Sequence, residues 1–175
     1  MYKRQDVQGE IFDYPEEFFK ERIHNIRRPK PDDFQIKQAM EKIKKSKKPI
    51  IISGGGVFYS DAMDELGSFA IKHNIPVTQT VMGYSTMKRD HSHFLGPIGG
   101  LGGRAANNLA KETDLAICVG TKLADFTTGS WANFENPEFK LVSINIARHD
   151  ANKHLAEAVI GDAKVCLSEL SNSLG

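Results

Sequence analysis

The sequence predicts an α/β fold, a doubly wound six-stranded parallel sheet of Rossmann type, on three observations. Short apolar runs rich in β-branched residues recur along the 175 residues, as strands covered on both faces require. Between them lie segments with apolar residues at i, i+3 and i+4, the helical crossovers that parallel neighbours need. Several runs also end in glycine, first in Pro49-Ile50-Ile51-Ile52-Ser53-Gly54-Gly55-Gly56-Val57, where the backbone must turn tightly or approach something closely.

Residues 1–31 differ from the rest. They carry charge, the aromatics Phe12, Tyr14, Phe18 and Phe19, and three prolines, with no sustained period. They read as a linker lying over a surface, because such a segment cannot bury its own aromatics. Folded sequence is expected over 32–175. Asp32 or Asp33 caps a helix whose inward positions are Ile36, Ala39, Met40 and Ile43, and Pro49 ends it. The first strand follows, then a helix capped by Ser60 or Asp61 with Met63, Leu66, Phe69 and Ala70 inward. Pro76–Val81 is a β-branched second strand, and Phe94–Ile98 a short, weak one. A helix over Arg104–Lys111 turns Ala105, Ala106, Leu109 and Ala110 inward. Asp114–Gly120, Lys140–Ile146 and Ala158–Asp162 supply the remaining strands, and a last helix buries Ala163, Leu167, Leu170 and Leu174.

Composition excludes several function classes. With 23 basic and 22 acidic residues, no net field draws the chain to nucleic acid or a membrane. The lysines of 42–48 sit at a helix end, where cations complement the dipole. No apolar segment is long enough to span a bilayer, and residues 1–6 are polar rather than signal-like. Cys118 and Cys166 fall in apolar periodic contexts and read as buried thiols of a cytoplasmic protein.

In a sheet of this kind ligands bind beyond the carboxyl ends of the strands, where strand order reverses. The groups expected there are Gly54, Gly55, Gly56, Thr80, Gly120, Thr121, Asn145 and Gly161-Asp162. Glycines let a backbone approach a phosphate, and they equally serve tight corners alone. Gly54-Gly55-Gly56-Val57-Phe58-Tyr59 lacks the third glycine of the dinucleotide fingerprint. Gly103 is followed by Arg104-Ala105, which rules out a P-loop. His91, His93, His149 and His154 lie in polar loops without a ligand spacing, so no metal site is expected. Trp131 and Phe134 read as interface or lid residues. No nucleophile elbow, Cys-His pair or paired-carboxylate site is legible, and no catalytic residue is assigned.

Taken in order, Pro49–Gly56, Ile75–Val81, Leu95–Gly100, Asp114–Thr121, Leu141–Ile146 and Val159–Lys164 resemble the central domain of thiamine-diphosphate-dependent enzymes. That domain is shared by acetolactate synthase and pyruvate oxidase. Asp6–Glu10, Phe12–Pro15, Val81–Thr86 and Phe126–Ser130 most resemble the trihydroxycyclohexane-1,2-dione hydrolases of bacterial myo-inositol breakdown. Those enzymes hydrolyse a ring C–C bond of a cyclic diketone to a deoxy-glucuronic acid. The resemblance makes 1–31 an interdomain linker and 32–175 a non-catalytic scaffold, a piece of something longer. It implies flanking pyrimidine- and diphosphate-binding domains and a homo-oligomeric parent. In such parents a glutamate of the amino-terminal domain activates thiamine diphosphate. A Gly-Asp-Gly motif of the carboxy-terminal domain holds its diphosphate and Mg²⁺. This chain has neither, so it is expected to bind no thiamine diphosphate and to turn nothing over.

The resemblance to acetolactate synthase further implies FAD along the strand ends, with Gly54, Gly55, Gly56, Thr80, Val81, Gly96, Gly120 and Asp162 at matching positions. Lys122 and Phe126 stand where that family has arginines, and Asn145 where it has an acidic residue that could hold a ribose hydroxyl. Losing an arginine fork weakens diphosphate recognition, so no flavin, or a vestigial nucleotide cleft, is expected. Two alternatives remain open: a stand-alone FAD- or ADP-binding module, or the central domain of an acetolactate-synthase-like or malonic semialdehyde-decarboxylating enzyme.

Overall fold

Ile50, Ile51 and Ile52 are all fully buried because their strand, β1 (Pro49–Ser53), lies inside the sheet with helices or loops on both faces. The computed structural model describes residues 5–175, so residues 1–4 of the proposed linker lie outside the described part. The other strands are β2 (Val77–Gln79), β3 (Phe94–Pro97), β4 (Leu115–Val119), β5 (Lys140–Asn145) and β6 (Glu157–Ile160). Their order is β3-β2-β1-β4-β5-β6, and every pairing is parallel. Ile52 sits opposite both Thr78 and Cys118, and Cys118 opposite Ser143. Beside β3 the register slips between Val77 and Thr78, as suits a short edge strand broken by Gly96.

The helices are α1 (Gln5–Gln8), α2 (Asp33–Lys45), α3 (Gly55–Tyr59), α4 (Met63–His73), α5 (Arg104–Glu112), α6 (Asp125–Thr128), α7 (Arg148–Ala151) and α8 (Ala163–Leu174). One face of the sheet, with Ile51, Val77, Ile117, Val119, Val142 and Ile144, packs under α2, α4 and α8. The other face, with Ile52, Ala116, Cys118 and Leu141, has α5 and its small residues Ala106 and Ala110. Ala105, expected to point inward, is exposed. One short helix leaves that face undercovered, and Trp131, Phe134 and Phe139 fill the gap. Phe134 stacks on Phe139 at 4.6 Å, and Trp131 lies 4.6 Å from the His154 ring. Trp131 and Phe134, expected as interface or lid residues, are half-buried and cover this part of the core. Cys118 and Cys166 are free and buried; burial pushes the Cys166 thiol up to about 12, which leaves it unreactive.

Local chemistry sets the helix ends. Asp32 caps α2 by accepting from the Phe34 amide at 2.8 Å, as the sequence predicts. The start of α4 differs from expectation. Its N-cap is Ala62, with no side-chain bond, since Asp61 takes a left-handed conformation (φ 54°) and Ser60 turns elsewhere. Asp114 ties the loop after α2 to the start of β4, accepting from Ser46 Oγ and from the amides of Lys47 (2.7 Å) and Lys48 (3.1 Å).

Residues 6–30 are exposed throughout. Tyr14 packs on Phe18 at 4.6 Å and edge-on to Phe12 at 5.6 Å, so the arm's aromatics cover one another and not the body. The arm is held at its root. The Asp162 amide donates to Pro29 O at 2.9 Å, and Arg28 pairs with Asp162 at 3.1 Å. No helix among the described residues is long and apolar enough to cross a membrane.

Candidate functional site

With β1 and β4 adjacent, the chain leaves the sheet in opposite directions at their carboxyl ends, and this is the switch point of the fold. Two adjoining clefts open there. One, of about 460 Å³, is lined by Gly55, Gly56, Tyr59, Thr80, Val81, Met82, Gly120, Thr121, Lys122, Phe126, Asn145 and Asp150 among others. The second, of about 380 Å³, shares Gly56, Tyr59, Gly120 and Asn145 and continues to Asp162, Gly161, Ile26 and Arg27. Gly55, Gly56, Thr80, Val81, Gly120, Thr121, Asn145 and Asp162 thus come together in one double cleft. Gly54, packed against the Gly120 loop, and Gly96, at φ +93° on the edge strand with nothing near its missing Cβ, line neither part.

The glycines are explained mainly by packing of the chain on itself. A Cβ on Gly54 would lie 2.4 Å from Gly120 O, and one on Gly56 would lie 2.6 Å from Gly120 Cα. One on Gly120, at φ +62°, would lie 2.5 Å from Gly56 Cα. The Gly54 amide donates to Val119 O at 2.8 Å and the Gly56 amide to Gly120 O at 3.0 Å. These two amides join the β1 and β4 loops and are not turned to a phosphate. Read alone, the triple glycine carried both meanings, and here the tight corner accounts for most of it.

The polar side chains are similarly engaged. Thr80 Oγ1 accepts from the Gly83 amide at 3.0 Å and shapes the loop that carries Val81 and Met82. Asn145 donates to Thr121 O at 3.2 Å and accepts from the Ala147 amide at 2.9 Å. Asp162 is buried, with four partners: Arg28, Ser60 Oγ at 2.9 Å, and the amides of Lys164 and Val165. It caps α8 and anchors the arm.

Sequence reasoning missed three contributors to the cleft. Asp150 enters from α7, bonded to Lys153 at 2.6 Å. That bond first, and then the charges of Lys153, His149 and Lys122, holds its carboxyl below the usual carboxylate range against the opposing effect of burial. Its only signal in the sequence is its position just beyond a strand end. Tyr59 stands exposed between the two clefts. Arg27 comes from the arm, which no motif connects to the sheet.

The arrangement offers a concave surface with an apolar rim of Tyr59, Val81, Met82 and Phe126, one lysine, one arginine and a paired carboxylate. Those groups suit a flat, partly anionic ligand. Among the described residues no three His, Cys, Asp or Glu side chains converge as metal ligands.

Residues 36–170 match the family model for the thiamine pyrophosphate enzyme central domain. The chain is 48% identical over 170 residues to 3D-(3,5/4)-trihydroxycyclohexane-1,2-dione hydrolase of Clostridium perfringens, covering 97% of this chain and 27% of that protein. It is 49% identical over 170 residues to the protein of that name from Clostridium tetani, covering 97% and 26%. The chain therefore spans about a quarter of the length of these curated relatives. Among solved structures, benzoylformate decarboxylase from Polynucleobacter necessarius superposes with a TM-score of 0.67 at 18% identity, over 89% of this chain and 31% of that one. At that identity the likeness concerns the fold alone.

Proposed function

Because the chain belongs to the thiamine pyrophosphate enzyme central-domain family, we propose that it is the non-catalytic central domain of a longer, thiamine-diphosphate-dependent enzyme. In this reading residues 1–31 are a linker and 32–175 the domain. The parent hydrolyses a trihydroxycyclohexane-1,2-dione, a substrate supported by the identity with the clostridial hydrolases. The parent is a cytoplasmic homo-oligomer, and its Mg²⁺ and diphosphate site lies in flanking domains.

The observation that carries the scaffold reading is the state of the cleft's carboxylates. Asp162 is fully engaged by Arg28, Ser60 and two amides, and Asp150 by Lys153. A divalent cation with a diphosphate needs open carboxylate or carbonyl oxygens at close range. The residues present do not fit thiamine diphosphate with Mg²⁺. Sequencing outward from both ends of the reading frame tests the domain assignment. Flanking pyrimidine- and diphosphate-binding domains are the expected result, and stop codons at both ends would favour a stand-alone module.

The double cleft favours a second reading, of the site itself: a weak adenosine diphosphate site without flavin. Its size, apolar rim, Lys122 and Arg27 suit a base and a short anionic tail. The absence of an arginine fork and the closed amides of Gly54 and Gly56 argue against tight diphosphate capture. Calorimetric titration of ADP is expected to give a dissociation constant on the order of 0.1 mM, with no flavin absorbance in the purified protein. A yellow preparation with near-stoichiometric flavin would overturn this.

A further inference from the structure

We infer that the arm root is a working wall of the strand-end cleft, so that its docking and occupancy of the cleft by a nucleoside diphosphate are mutually dependent. This inference rests on the nucleotide reading of that cleft.

Four observations converge on it. Ile26 and Arg27 line the cleft together with Gly56, Tyr59, Gly120, Asn145 and Asp162, residues otherwise drawn from the sheet end and its loops. The next residue, Arg28, pairs through its guanidinium with Asp162 (3.1 Å) and donates to the Ser60 carbonyl. Pro29 O accepts the Asp162 amide at 2.9 Å. The arm root lies close on the surface beneath: a Cβ on Gly161 would lie 2.7 Å from Cys166 Sγ and 3.1 Å from both Pro29 O and Pro31 N. Residues 6–25, in contrast, make hydrogen bonds and ion pairs only within the arm among the described residues.

Arg28 and Lys30 face Asp162 and Glu169, whereas Arg27 lines the cleft. It thus adds an arginine to a site whose own loops, among the described residues, offer Lys122 as their one basic lining residue. A guanidinium recognises phosphate oxygens bidentately, as an ammonium does not. Phosphate contact at Arg27 adds a bond that exists only when the root is docked. The root and the ligand then stabilise each other by the same factor, since coupling free energy is reciprocal. Arg28, which lines no part of the cleft, acts as a positioning residue for Arg27.

Limited trypsin digestion and ADP titration of the 175-residue chain test this together. The bonds Arg28–Pro29 and Lys30–Pro31 resist trypsin because proline follows, which leaves Arg27–Arg28 as the reporter at the root and Arg22–Ile23 as an internal control in the free arm. Saturating ADP is expected to slow cleavage after Arg27 about five-fold and leave cleavage after Arg22 unchanged. Arg28→Ala is expected to weaken ADP binding about five-fold, with Arg28→Lys partly restoring it, and Arg27→Ala to weaken it about ten-fold. Circular dichroism melts of each variant separate lost docking from lost folding. If ADP binds with equal affinity to wild type and Arg28→Ala, and Arg27 is not protected, the coupling is wrong while the cleft reading stands. If ADP does not bind at all, both fail.

Discussion

Replacing Gly120 by alanine is expected to destabilise the domain by about 4 kcal/mol, a large share of the roughly 5–15 kcal/mol that a domain has. Two penalties combine. At φ +62° any L side chain is strained, at about 1–3 kcal/mol. The added methyl would also lie 2.5 Å from Gly56 Cα and 2.8 Å from the Val57 amide nitrogen. Both are backbone atoms that can yield only by separating the β1 and β4 loops, an overpacking cost of about 1–3 kcal/mol. Two companions resolve the sum. Gly56→Ala makes the reciprocal clash, 2.6 Å from Gly120 Cα, where no positive φ applies. Gly96→Ala, at φ +93° with open space around it, carries the strain alone and is expected to cost about 1 kcal/mol. Urea titrations should show midpoints falling in the order Gly96→Ala, Gly56→Ala, Gly120→Ala at constant slope. A Gly120→Ala variant as stable as Gly96→Ala would mean that the loops separate freely, and the glycines would again need a ligand to explain them.

Asp162→Ala is expected to cost about 3 kcal/mol. The side chain caps α8 through the amides of Lys164 and Val165, worth about 1 kcal/mol. Its removal also leaves the buried Ser60 hydroxyl without its acceptor and Arg28 with only the Ser60 oxygens, adding about 1–3 kcal/mol. Part of the Arg28 contribution is discounted because its side chain is 33% exposed and can turn to water. Asp162→Asn keeps an oxygen for the cap and loses the charge facing Arg28, so its melting temperature should fall between the two. Equal losses for both substitutions would show that the charge, not the cap, matters at this position.

The fold was legible from local pattern, because each strand is a short apolar run and each long helix carries its own stripe. Asp32 could be read as a cap since the bond it makes is two residues long. The misses are of another kind. Ser60 looked like a helix cap, but its partner Asp162 lies 102 residues away. Asp162 lines the cleft as expected from its strand end, but its pairing with Arg28, 134 residues distant, carries no local signal. The helix Gly55–Tyr59 was hidden because glycine is a poor helix former, and tertiary contact with the Gly120 loop overrides that preference. Trp131 and Phe134 were readable only as exposed aromatics until α5 proved too small to cover its face of the sheet. The strand-end rule points to Gly55, Gly56, Thr80, Gly120, Thr121 and Asn145, which all line the cleft, because it depends on topology that the pattern conveys. Arg27 and Asp150 could not be found by it, since they reach the same place from elements without a motif.

The scaffold assignment is tested most directly by calorimetric titration of thiamine diphosphate into the 175-residue chain, with and without Mg²⁺. The carboxylates near the cleft are already paired, so no binding heat above dilution is expected under either condition. Tight, Mg²⁺-dependent uptake would contradict the assignment and place a working cofactor site within this chain.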